Sequence, residues 1–221
     1  VINAAVPTSG PVGTTVTLNF NNLIASRSAT VKFGTVSISN STVTTNSTGG
    51  WKGTVSVPSG AGNTVSVSDG TNSLSTSFTV TTPVINAAVP TSGPVGTTVT
   101  LNFNNLIAGA SYTIKFGTTT ASGAQATGTT NSTGGFAGTV TVPSGISSGS
   151  QPLTATDTIN SINTPFTVTT PTVHVLPSSG SVGTTVVLSG SNFIPSSPIT
   201  VKYDGTTVTT SPASVTSNST G

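Results

Sequence analysis

Cysteine, methionine and glutamate are all absent from the 221 residues. Without cysteine there is no disulfide framework and no thiol nucleophile. Without methionine, Val1 is not a translation start, so a processed product or a piece of a longer polypeptide is expected. Charge is nearly as scarce: five Lys or Arg and three acids make 4% of the chain, where ordinary globular proteins have about 25%. The net charge of +2 and the pI of 9.3 rest on those few groups. Arg27, Lys32, Lys52, Lys115 and Lys202 stand singly, and nucleic acid requires clustered cations that displace counterions, so it is excluded as a partner. No apolar run approaches the roughly 18 to 20 residues of a membrane span, so no span is expected in this segment.

Hydroxyls take the place of charge. Ser and Thr together make about 37% of the chain, far above ordinary usage. Low charge together with abundant Val, Thr and Ile argues for ordered β structure rather than disorder.

The organising feature is repetition. Residues 1–25, VINAAVPTSGPVGTTVTLNFNNLIA, recur letter for letter at 84–108. A diverged third copy, VLPSSGSVGTTVVLSGSNF, aligns Pro177, Gly180 and Gly183 with Pro7, Gly10 and Gly13 and with Pro90, Gly93 and Gly96. KFG at 32–34 and 115–117, VKYDG at 201–205, NSTG at 46–49, 131–134 and 218–221, and FTVTTP at 78–83 and 166–171 recur in the same order. The units are therefore 1–83, 84–171 and 172–221. The third halts at NSTG, short of the segments that begin GWKGTVSVP and GFAGTVTVP in the others. Two readings stay open: the chain is a window on a longer array, or a neighbouring molecule supplies the missing strands.

Within a unit the hydrophobic period is two. Val16, Leu18 and Phe20 share one face of a strand, Thr17 and Asn19 the other; Val31 and Phe33 point in and Lys32 out. Gly, Pro, Asn and Ser clusters break the strands every 8 to 12 residues or so, and Asp204-Gly205 predicts a tight hairpin. Six or seven short strands per unit, without a helical pattern, predict an all-β fold of tandem immunoglobulin-like β-sandwiches, the third incomplete. The opening P-x-x-G-x-x-G-T-T-V (Pro7, Gly10, Gly13, Thr14, Thr15, Val16) and the closing FTVTTP resemble the IPT/TIG-like and related immunoglobulin-like repeats of bacterial and archaeal surface-layer proteins, adhesins and extracellular filaments. That resemblance implies a cell-surface structural or adhesive role and brings no catalytic residues with it.

Chemistry has little to work with. His174 is the only His and has no counterpart in the other units, and hydroxyls without a base are inert, so no catalytic residue and no enzyme activity are expected. Asp69, Asp157 and Asp204 lie in separate units outside any calcium-loop pattern, so no metal and no cofactor are expected; Asp69 and Asp157, in SDGTN and TDTIN, read as turn-capping residues. Lys32, Lys115 and Lys202 recur, but on the polar phase of their strands and without a glutamate, which argues against a Lys–Asn isopeptide bond. Asn40, Asn46, Asn131 and Asn218 each head an N-x-S/T sequon, three of them at one repeat position, and covalent glycans are expected there; NSTGG is also a good turn. Trp51 and Phe136 follow that turn at one repeat position; an exposed aromatic there could stack on sugar rings, but the exchange of Trp for Phe and the alternation with Val55, Val57, Val140 and Val142 favour core filling.

The function expected is a non-enzymatic extracellular structural protein: a glycoprotein filament, fibre or archaeal-type S-layer of tandem repeats. Its partners would be copies of itself, with Val1–Pro7 or an FTVTTP strand of another copy completing residues 172–221. An adhesin stalk or carbohydrate-binding module of a larger surface protein is the alternative. With three carboxylates in all, acid is expected to leave stability nearly untouched.

Overall fold

A computed structural model describes residues 1–219 and 221, Ser41 by its backbone alone. The first unit contains β1 (Ser9–Gly10), β2 (Thr15–Phe20), β3 (Ser28–Phe33), β4 (Val36–Thr44), β5 (Trp51–Ser56), β6 (Thr64–Ser68), β7 (Ser73–Ser77) and β8 (Thr79–Val80). One sheet is β2–β5, widened by bridges from Ile2 to Phe20 and from Val6 to Thr17. The other runs β4-β3-β6-β7, while β1 and β8 pair in parallel. The alternation read from the sequence decides what lies between the sheets: Val16, Leu18, Phe20, Val31, Phe33, Val65 and Val67 are wholly enclosed, and Lys32 is outside. Phe33 meets Phe78 edge to face with centroids 5.4 Å apart.

The second unit repeats the plan with β9 (Val84–Ile85), β10 (Ser92–Gly93), β11 (Thr98–Asn104), β12 (Ser111–Phe116), β13 (Thr119–Thr120), β14 (Thr127–Thr129), β15 (Phe136–Thr141), β16 (Gly149–Thr156) and β17 (Ser161–Val168). Its sheets are β15-β11-β9 and β10-β17-β16-β12-β13, with β14 also on β12. The register of β11 on β15, Val99 opposite Val140 and Phe103 opposite Phe136, repeats that of β2 on β5, Val16 opposite Val55 and Phe20 opposite Trp51. Trp51 and Phe136 stack on Phe20 and Phe103 at 5.7 and 5.3 Å, so these half-buried rings close the end of each core. Two separate cores result, one drawn from residues 2–80 and one from residues 85–168. Both units are all-β sandwiches of immunoglobulin type.

The third unit contains β18 (Thr172–Leu176), β19 (Val187–Ser191), β20 (Pro198–Ile199), β21 (Lys202–Tyr203), β22 (Thr206–Thr207) and β23 (Val215–Thr216), in two-stranded pairs only. The expected hairpin is present: Asp204 and Gly205 sit at φ 44° and 78° between paired Tyr203 and Thr206. β19 occupies the place of β2 and β11 and, among the described residues, has β18 alone beside it. Its apolar residues stay in solvent, Val187 at 66% and Leu188 at 40% exposure. His174 is likewise exposed on β18, opposite Ser189.

Within this chain the Val1–Pro7 segment belongs to the first unit. Ala5 is fully buried in its own core, and Ile2 and Val6 bridge to β2. The FTVTTP strands are also engaged, Thr79–Val80 on β1 and Thr167–Val168 on β10. Either segment leaves a finished sandwich only by breaking these pairings.

Candidate functional site at the joint between units

The repeated end of each unit is built around one buried leucine. After β2 the chain reads Asn22-Leu23-Ile24, and after β11 Asn105-Leu106-Ile107. Leu23 and Leu106 sink into the cores at 6% and 1% exposure, which leaves the residues on either side at the unit's end surface. Asn22, Asn105 and the corresponding Asn192 hold left-handed φ values of 70°, 63° and 62°, a conformation Asn adopts more readily than other side-chain residues. The Gly49 and Gly134 turns close over the buried leucines and accept from them, Leu23 N donating to Gly49 O and Leu106 N to Gly134 O, both at 3.0 Å.

Each isoleucine is then fixed by its backbone. Ile24 N donates to Asp69 Oδ2 at 2.7 Å and Ile107 N to Asp157 Oδ2 at 2.8 Å. Asp69 Oδ1 also accepts from Thr71 N and Asn72 N, and Asp157 Oδ1 from Ile159 N and Asn160 N, all at 2.6–2.9 Å. The carboxylates thus cap their own turns, as SDGTN and TDTIN suggested, and tie those turns to the isoleucine loop. A threonine hydroxyl secures the other side: Thr45 Oγ1 donates to Ile24 O and Thr130 Oγ1 to Ile107 O, both 2.6 Å, with Ser217 Oγ doing the same for Ile194 O at 2.5 Å. The backbone donors from Asn72 and Ile24 hold the Asp69 carboxyl well below the usual carboxylate range. For Asp157 partial burial pushes the other way, and the donors from Asn160, Ile107 and Ile159 outweigh it, so its pKa is also lowered. The pH expectation therefore needs correction: few as they are, two of the three acids are tied to folding.

This surface receives the opposite end of the preceding unit. That end is a left-handed glycine turn, Pro11-Val12-Gly13, with Gly13 at φ 87° and its N–H bonded to Val57 O at 2.9 Å. A Cβ on Gly13 would strike Ile159 Cδ1 and lie 2.9 Å from Ile107 Cδ1, so glycine is what permits the two units to close up. Two asparagine amides span the joint: Asn160 Nδ2 donates to Val12 O, and Asn105 Nδ2 to Thr82 O in the connecting segment, both at 3.1 Å. The second joint has the same plan. Asn192 Nδ2 donates to Thr170 O at 3.4 Å, and Ile194 Cδ1 lies 2.9 Å from where a Cβ on Gly96 would stand. Among the described residues one amide bond spans it, against two at the first joint. Val12 is half-buried, Val95 remains 42% exposed, and the corresponding Val182 is completely exposed.

The sequon asparagines serve turns. Asn46 Oδ1 accepts from Thr48 N, Thr48 Oγ1 and Gly50 N, and Asn131 Oδ1 from Thr133 N, Thr133 Oγ1 and Gly135 N, at 2.8–2.9 Å. Both side chains face solvent, as does Asn40 on β4 and Asn218 near the end of the third unit; Thr220, which completes the last sequon, lies outside the described residues. The lysines are dispersed, Lys32 and Lys202 exposed and Lys115 half-buried on their strands. His174 and the aspartates are not brought together, and among the described residues no group of three His, Cys, Asp or Glu side chains could hold a metal ion. No helix of the described residues is long and apolar enough to cross a membrane.

Sequence reasoning missed the joint residues. The available signal was the pair Asn-x-Ile at one place in all three units, where a polar residue interrupts the apolar alternation just past a strand.

No family description and no curated protein matches the chain. Solved structures similar to it include the D0-D1 domain of intimin, at 17% identity and TM-score 0.31, covering 75% of this chain and 96% of that one. The plexin A4 extracellular region matches at 20% identity and TM-score 0.40, over 76% of this chain and 18% of that one. The C-terminal 282-residue fragment of intimin, solved with the intimin-binding domain of the translocated intimin receptor, matches at 15% and TM-score 0.30, over 80% and 66%.

Proposed function

We propose that this chain is a non-enzymatic, extracellular structural rod: a stalk or filament segment whose units hold one another at a fixed angle. The observation that supports the reading is the joint itself, made of an asparagine amide, an isoleucine and a left-handed glycine turn at two successive boundaries. A flexible string of domains has no use for such contacts. Here the connecting residues are themselves bonded to the flanking units, Thr81 N to Gly10 O and Thr82 O to Asn105 Nδ2. Hydroxyl-rich exteriors suit such a rod, and the exposed asparagines of the NSTG turns would carry its glycans, which supply the solubility that charge does not. The partners are further copies of the repeat.

Small-angle scattering of the full chain in solution tests the rod. An extended particle of fixed length is expected, and the double variant Asn105→Ala/Asn160→Ala should broaden its length distribution. A wild-type chain that already samples many inter-unit angles overturns the reading.

A further inference from the structure

The first two units differ along one side of the sandwich, away from the joint between them, whose contacts run through Gly13, Val12, Thr82, Asn105, Ile107, Ile159 and Asn160. Between the KFG turn and the NSTG turn the second unit is two residues longer, 118–130 against 35–45. The extra length carries residues 121–126 across to β15. There Ser122 and Thr141 exchange backbone N–H to O bonds at 2.9 Å, and Gln125 Oε1 accepts from Thr139 N at 2.8 Å. Ala121 and Ala126 join the core at either end of this crossing. In the first unit the shorter segment stays in β4 on β3, and the outer edge of β5 is bare. Thr54 and Ser56 are the counterparts of Thr139 and Thr141 in the shared register, so their N–H groups turn away from β2, and among the described residues those groups have no partner. A cleft of about 340 Å³ lies there between β4 and β5, lined by apolar Ile38, Val43 and Val55 and by polar Asn40, Thr54 and Ser56.

We propose that this cleft takes an extended peptide segment of another protein, with small uncharged side chains, which adds to β5 as a strand and does for the first unit what residues 121–126 do for the second. The chemistry of the occupant is read from the segment already seated in the equivalent place, Ala-Ser-Gly-Ala-Gln-Ala, which pairs through its backbone and sets alanine on the core. Strand addition draws its affinity from main-chain hydrogen bonds and its selectivity from what the alternate side chains meet. A second copy of the same edge is the poorer occupant. Lysine on an edge strand is a common defence against such pairing, and Lys52 stands exposed on β5 where β15 has Ala137. Two β5 edges laid together would crowd both lysines onto one short ladder, whereas a segment without cations meets no such repulsion. The inference is independent of the rod reading, which concerns the ends of the units and not their sides.

The probe is a synthetic peptide of residues 120–127, TASGAQAT, added to the full chain produced without glycans, because Asn40 lines the cleft. A short connection holds the natural segment at roughly millimolar effective concentration, so the peptide is titrated through that range. Amide exchange is read residue by residue. Saturation should slow exchange at Thr54 and Ser56 by about tenfold or more and leave Gly53 and Val55, bonded to β2, unchanged. A peptide with proline in place of Ser122 lacks the N–H that bonds Thr141 O and should protect neither residue. In the protein, Ser56→Pro removes an outward N–H without touching the ladder to β2 and should abolish binding. A second variant, with residues 38–42 replaced by residues 121–127, closes the cleft from within, so it should protect Thr54 and Ser56 unaided and bind no peptide. Unchanged exchange at Thr54 and Ser56 throughout the titration, or equal protection by the proline peptide, overturns the proposal. Protection in the free chain that rises with chain concentration also overturns it and assigns the edge to a second copy.

Discussion

Two kinds of residue carry more of this molecule than their number suggests. Asp69 and Asp157 each gather three backbone N–H groups, and their pKa values are lowered by doing so. A carboxyl with a lowered folded pKa contributes stability that is fully present above its unfolded value, about 3.9, and lost as pH falls through the folded value. Denaturant midpoints should therefore be flat from pH 7 to about pH 4 and fall below it, and the Asp69→Asn/Asp157→Asn chain, weaker at pH 7, should show a shallower decline. A wild-type midpoint unchanged down to pH 2 would refute this. Asn131 makes a parallel case. Its three bonds all reach Oδ1, which Asp reproduces and Ala does not. Asn131→Ala should cost about 1 to 2 kcal/mol and Asn131→Asp much less, measured by urea unfolding. Both abolish the sequon, so comparing them, with intact masses of native material, separates the turn from any glycan.

At the scale of elements, the strands were legible and the joint was not. Period-two alternation in TVTLNF and TVKF gave the inward residues correctly, because each strand has one face on the core and one on solvent, and a one-residue slip would invert both. Asp204-Gly205 was readable because a two-residue hairpin of type I′ demands φ > 0 at both positions, which Asp-Gly tolerates. The joint was illegible for a physical reason: Asn105, Ile107, Ile159 and Gly13 come together across 146 residues of sequence, and none of them follows a periodic pattern. The glycine turns supply a direct comparison. Alanine at Gly13 or at Gly183 incurs the same left-handed strain, about 1–2 kcal/mol. At Gly13 it must also displace Ile107 and Ile159, whereas at Gly183 it meets nothing. Gly13→Ala should thus lower stability more than Gly183→Ala and alone widen the angular distribution between the first two units in scattering.

Across the whole molecule, order should follow burial rather than secondary structure. The first two units enclose six fully buried phenylalanines between them, Phe20, Phe33, Phe78, Phe103, Phe116 and Phe166. The third has strands and hairpins but, among the described residues, forms two-stranded pairs only and contributes no residue to either core. Fixing a residue's backbone costs about 1–2 kcal/mol, and apolar burial returns about 25 cal/mol per Å², so paired strands without a covered face have little to hold them. Repeat arrays add a term for each neighbour, and here the third unit has the looser joint, with Val95 exposed where Val12 is half-buried. Amide hydrogen exchange of the full chain should therefore be slow over residues 98–104 and faster by at least a hundredfold over the corresponding residues 185–191. Equal protection in the two strands would mean that the third unit is stabilised by something other than its own burial.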